Sequence, residues 1–326
     1  MRKRLIDYLL TNQILTAIIV LAVAWLVFEV REVLVALFVS FILTAAISPY
    51  ADYLKRRNFP NSISVIIPFL AALAMLVLIL VSLLPFFIAQ VQLFLALLPT
   101  YLNQEITFLG VKLNSSEISR IATGELGNLG GNALAFTSRI FGGVITAVSI
   151  LAVSFYLLLY RETVTNSFVN LFPKASQSKV FKTVKQVEDK LGSWLRGQIL
   201  LSAIIGILTW VVLTVLGVSF ALPLAVIAGV LEIVPTIGPI LSAIPAIIVA
   251  FNISPLLGAL VAISYFFIQL FENNFLVPRI MQRAVGLNPI VIIISIIVGG
   301  KLLGIAGALL AIPFVSLLFV VYKNLE

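Results

Sequence analysis

The chain has 326 residues, 61% of them apolar and only 10% charged, where a soluble domain carries about a quarter charged. Its 21 basic and 13 acidic side chains are too few to cover a globule of this size, so the apolar surplus must face lipid. Having neither Cys nor His, it has no route to disulfides, thiolate chemistry, His-bound metals or Ser–His catalysis. Asp, Glu and Lys remain to handle protons.

A hydrocarbon core of about 30 Å takes roughly 20 apolar residues in a helix. The first apolar run, Ile14 to Phe28, follows Arg2-Lys3-Arg4, and a second, Val33 to Ile47, comes almost at once. No small-residue cleavage site separates them, so the pair reads as an uncleaved helical hairpin. With Ile63 to Ala89 they form an N-terminal membrane segment over 1–90. Residues 91–139 read as extracytoplasmic, with a capping box at Asn114-Ser115-Ser116-Glu117. Their glycines follow no buried strand and make no nucleotide loop. A span over 140–160 leads into a cytosolic amphipathic segment, 161–197. There Val180, Val184, Val187, Leu191 and Trp194 share one helical face, while Lys179, Lys182, Lys185 and Lys190 take other positions. This predicts a helix lying on the membrane surface, an anchor or a site for anionic lipid.

Residues 198–326 form the core of the reading. Ile199–Gly217, Pro255–Leu276 and Leu302–Val321 are long enough to span; Ala221–Val234, Ile240–Phe251 and Val285–Val298 are short and bounded by Pro and Gly. With the N-terminus in the cytosol and sides alternating at each full span, 16 of the 21 basic residues fall inside, leaving Arg31, Lys112, Arg120, Arg139 and Lys301. That bias sets the orientation and puts both termini in the cytosol. No basic residue occurs between Gly197 and Pro278. Arg279 and Arg283 land inside only if Ala221–Phe251 enters from outside, turns near Pro235 and returns. A second hairpin over Val285–Val321, turning at Gly299-Gly300-Lys301, enters from the cytosol.

Three formal charges lie in the predicted membrane zone: Glu232, Glu272 and Lys301. Charges there are costly and usually face a cavity, a partner or a substrate path. Glu232 precedes Pro235-Thr236-Ile237-Gly238-Pro239, a run that ends one helix and turns into the next. Unwound backbone at membrane depth is tolerated where it lines a cavity, as in transporter binding sites. Gln269, Glu272 and Asn273, at i, i+3 and i+4, share a face of a helix that ends at Pro278. With Asn274 they gather oxygens suited to hard cations or polyhydroxyl ligands. A buried structural hydrogen bond is the competing role for each. Arg196 and Gln198 open the preceding span as gate, interface or anchor, and Lys301 and Gly304 mark the second hairpin. Pro223 and Gly238 are separated by the same 15 residues as Pro289 and Gly304, and Ala243-Ile244-Pro245 recurs as Ala311-Ile312-Pro313. Two span-plus-hairpin units entering from opposite sides would form an inverted repeat.

Arg196-Gly197-Gln198, Glu232 to Pro239, Gln269-x-x-Glu272-Asn273 with Pro278, Leu287-Asn288-Pro289 and Gly304-x-x-Gly307 leading to Ile312-Pro313 resemble the AI-2E family of autoinducer-2 exporter-like permeases. The likeness runs over essentially the whole chain, and Asn288 stands where many members carry His. It implies a prokaryotic inner-membrane protein with about eight transmembrane segments, forming homo-oligomers, with a pentamer as one expected state. The family's reported substrates are autoinducer-2 and, for some members, sodium or other monovalent cations exchanged for protons.

The expectation is therefore an all-α polytopic secondary transporter exporting a small polar signalling molecule. A cation/proton antiporter using Glu232 and Glu272 is the alternative, and a non-transporting membrane scaffold the third reading. The expected partners are the solute or cation, protons and the lipid bilayer, not nucleic acid. No cofactor, metal or enzymatic activity is expected.

Overall fold

The computed structural model describes residues 13–75, 77–78, 107–108, 111–112, 133–235, 237–281 and 288–325. The expected capping box, the glycines of the 91–139 segment, Thr236, Arg283 and Leu287 lie outside them. Apart from a two-residue antiparallel strand pair, Thr107–Phe108 with Val111–Lys112, the described chain is helical. In order come α1 (Gln13–Glu29), α2 (Arg31–Arg56), α3 (Asn61–Met75), α4 (Ala133–Leu159) and α5 (Arg161–Val169). They are followed by α6 (Lys174–Val215), α7 (Ala221–Leu231), α8 (Ile237–Ile253), α9 (Pro255–Phe271), a π-helical turn (Glu272–Leu276), α10 (Val277–Met281) and α11 (Pro289–Leu325).

Four stretches among the described residues are long and apolar enough to cross a bilayer: Arg31–Arg56, Lys174–Val215, Pro255–Met281 and Ile290–Asn324. The α4–α5 pair, bent by 77° at Tyr160, adds a fifth if taken as one span. This is an integral membrane protein.

Helix α6 runs 42 residues without a break through Gly197. At 1.5 Å per residue it is about 63 Å long, twice the hydrocarbon core. Its apolar stripe does not lie on lipid as expected. Val187, Leu191 and Trp194 are buried with Leu201 and Ile205 against Ile42 of α2, Met281 of α10, and Ile296, Ala311, Ile312 and Val320 of α11. A second core joins Leu213 and Leu224 to Ala246, Val249, Val261 and Tyr265. The stripe is buried because α11 folds back onto it.

Small residues let the backbones meet. A Cβ on Gly192 would overlap the Ala45 carbonyl of α2, and one on Gly229 would stand 2.9 Å from the Ser202 carbonyl of α6. In lipid such close approach replaces the hydrophobic effect as the source of helix association. Hydroxyls add polar ties: Ser40 Oγ donates to Ile150 O (3.1 Å) and Thr44 Oγ1 to Ser154 O (3.1 Å), joining α2 to α4. Pro49, inside α2, has no N–H to give Ala45 O four residues back. Ser48 Oγ (3.1 Å) and Arg196 Nη1 of α6 (3.2 Å) serve that carbonyl instead.

The second hairpin turns later than the sequence suggests. Gly299, Gly300 and Lys301 are helical, and the break falls at Leu303 (φ −131°, ψ 16°) and Gly304 (φ 61°, ψ −143°). Gly304 occupies a region only glycine visits cheaply. Gly299 and Gly307 press backbone to backbone across the fold, which no straight helix allows at that separation. These glycines form the contact between the arms, so the tip moves beyond them. Asn288, at the start of α11, accepts from the Ile290 amide through Oδ1 (2.9 Å), a capping role.

Candidate functional site

Between α7 and α8 the described residues Glu232 to Pro235 leave the helix. Pro235 cannot extend α7, whose last amides tighten: Val234 N donates to Leu231 O at 2.9 Å. The chain re-enters a helix at Ile237, with Gly238 N donating to Val234 O (2.9 Å). A Cβ at 238 would overlap the Leu231 carbonyl, so only glycine permits so tight a return.

A broken helix leaves carbonyls without partners. One is served from α6: Gln198 Nε2 donates to Glu232 O at 2.6 Å. Gln198 is 2% exposed and its Oε1 has no partner among the described residues. Ser202 and Thr209 share that face of α6, and their buried hydroxyls also lack partners among the described residues. From Gln198 to Thr209 the polar line covers about 16 Å.

Glu232 is fully buried and Glu272 is 2% exposed. Their side chains meet, and neither Glu232 oxygen nor Glu272 Oε2 receives a hydrogen bond from any described group. Two carboxylates in contact repel unless a proton or cation lies between them. The arrangement can therefore hold a proton, bind a monovalent cation, or exchange one for the other.

Glu272 faces inward because the helix changes pitch there. Glu272–Leu276 is a π turn, with the Val277 amide reaching back to Glu272 O. The expected stop at Pro278 does not occur; the helix continues to Met281. The extra residue per turn absorbs the proline's missing bond and rotates its neighbours apart. Gln269 is half-buried, while Asn273 and Asn274 are exposed and Asn274 Nδ2 donates to Leu270 O (2.8 Å). The predicted oxygen cluster is thus split, and only Glu272 joins Glu232.

Of the other expected residues, Gly238 and Gln198 touch the break directly, with Pro235 in it and Pro239 just beyond. Arg196 belongs to the α2 contact, Nη1 also reaching Ala46 O at 3.1 Å. Lys301 and Gly304 are exposed on the second hairpin. Sequence reasoning missed an ion network: Glu188 of α6, 2% exposed, pairs with Arg161 Nε, and Arg161 Nη1 with Asp52 of α2 (2.8 Å).

A family model described as AI-2E family transporter matches residues 14–326. The chain belongs to the AI-2E transporter family. This AI-2E protein is 27% identical over 292 residues to YueF of Bacillus subtilis, provisionally named a transport protein, covering 83% of the chain and 79% of YueF. It is 34% identical to YrrI of the same organism, also provisionally named a transport protein, over 50% of the chain. The chain spans less than half of YrrI, 46%. The match to the AI-2 transport protein TqsA of Escherichia coli is 35% identical over 131 residues, covering 40% of the chain and 38% of TqsA.

Proposed function

We propose that this chain is a prokaryotic inner-membrane secondary transporter that exports a small polar molecule of the autoinducer-2 kind, with Glu232 and Glu272 as its coupling site. The observation that carries this reading is the buried carboxyl pair without a donor among the described residues, set against unwound backbone at Glu232–Pro235. The line of unpartnered groups at Gln198, Ser202 and Thr209 supports a hydrated path leading to it. Pro235, Gly238 and Pro239 shape the turn; Gln269 stands at the path's edge while Asn273 and Asn274 face outward, and Arg196, Lys301 and Gly304 belong to its moving frame. In the full architecture about eight segments cross or enter the bilayer. The two hairpins form an inverted repeat, both termini are cytosolic, and the protein is a homo-oligomer. The domains are 1–90, 91–139, 140–160, 161–197 and 198–326.

The same carboxyl pair supports a second reading, a monovalent cation/proton antiporter. Proteoliposomes separate the two: export requires movement of the organic solute, whereas antiport requires sodium flux with counter-moving protons and no solute. Glu232→Gln keeps the size and one carbonyl while removing the charge. Coupled flux should fall by at least tenfold and lose its pH dependence, with insertion and size-exclusion behaviour retained. A wild-type rate and pH profile in that variant would remove Glu232 from the mechanism.

A further inference from the structure

At the far end of α11, two ammonium groups share one small face of the molecule. Lys190 Nζ of α6 lies 5.4 Å from the centre of the Phe319 ring, and Lys323 follows Phe319 by one helical turn. The two lysines are close enough to repel each other. Among the described residues neither forms an ion pair: the bridges on this half of α6 use Lys185, Glu188 and Arg161. Asp189, beside Lys190 in sequence, projects about 100° round the helix.

The face is also held in place. Asn324 Nδ2 donates to Gln186 Oε1 at 2.6 Å, and Val320 is buried on Val187 and Leu191. These contacts hold the two helix segments that carry the lysines against each other. On the outer side of α11, Leu318, Phe319 and Tyr322 are exposed by 49%, 43% and 63%. An apolar strip ending in a tyrosine and a lysine is the pattern of a helix leaving the hydrocarbon at the headgroup layer. Like charges with no ion-pair partner among the described residues, beside an exposed apolar strip, call for an anion that brings its own apolar tail.

We propose that Lys190 and Lys323 hold the phosphate of an anionic phospholipid whose acyl chains lie along Leu318, Phe319 and Tyr322. The phosphate relieves the repulsion between the ammoniums, and the strip distinguishes the lipid from a soluble phosphate. The site is independent of which solute the protein moves.

The test is native mass spectrometry of the purified full chain titrated with phosphatidylglycerol. An ammonium near an anionic headgroup contributes about fivefold in affinity, so Lys190→Gln/Lys323→Gln should bind about thirtyfold more weakly and either single variant about fivefold. Lys190→Arg should retain binding, and Lys182→Gln, at an exposed lysine on another face, should leave it unchanged. Phosphatidylcholine should not compete. Should the double variant fail to fold, Lys323→Gln alone decides, because that side chain is exposed. Equal affinity in Lys323→Gln and wild type overturns the site. Displacement of the lipid by millimolar inorganic phosphate overturns the lipid as its ligand.

Discussion

Arg161 and Glu188 show how a single charge is managed inside an apolar face. Glu188 is 2% exposed, and its partner reaches it from the bend between α4 and α5. Removing one member of a buried pair typically costs about 3–5 kcal/mol, whereas replacing both by apolar side chains of similar size is close to neutral. Arg161→Met and Glu188→Met should each lower the melting temperature of the purified protein, and the double variant should recover most of the loss. Asp52 and Lys185 are more than a third exposed and stay solvated when left alone. If the double variant melts below both singles, the pair does not hold the network together. The signal for Glu188 was present in the sequence, since it interrupts the stripe formed by Val184, Val187 and Leu191. Its partner was not legible, because no local spacing reports contacts made across a chain bend. Glu232 was better marked, by proline and glycine on its C-terminal side. Glu272 was placed on the right helix, but the π turn that sends Asn273 and Asn274 outward has no period to read.

At the scale of elements, the α2–α6 contact rests on a missing amide. Pro49 leaves Ala45 O short of its helical donor, and Arg196 crosses from α6 to supply one. Losing a charged hydrogen bond typically costs about 1.5–3 kcal/mol. Arg196→Met should therefore destabilise the wild type by about that amount, and Pro49→Ala, which restores the backbone donor, should reduce the cost by 1 kcal/mol or more, an estimate from typical couplings of touching residues. Equal costs in both backgrounds, measured by thermal melts, would show that Arg196 acts elsewhere. Helix breaks were legible as proline and glycine runs, and the first falls where those residues put it. In α11 the same residue type serves two purposes, close packing at Gly299 and Gly307 and a positive φ at Gly304. Composition does not separate these purposes, so the turn was expected a few residues early.

For the whole molecule, the composition established an integral membrane protein, and the 3.6-residue periods established helices. The packing of the basic half of α6 against α11 was not legible, because an apolar stripe looks the same whether protein or lipid covers it. Topology is directly testable in a chain without cysteine. In oriented vesicles, Asn252→Cys should label from the outer face and Gln177→Cys from the cytosolic face. Labelling of position 252 from the cytosol alone would exclude the re-entrant hairpin. One further consequence follows from the length of α6. Gln198, which grips the Glu232 carbonyl, sits a little past the mid-point of an uninterrupted rod whose N-terminal arm, 174–197, is about 36 Å long. Pivoting about that grip by about 5° sweeps the arm's tip through about 3 Å, from the same rise per residue. The arm's packing on α2 and α11 and the grip on the helix break thus belong to one continuous rod, so a tilt of the arm would reach the break through a single rigid body.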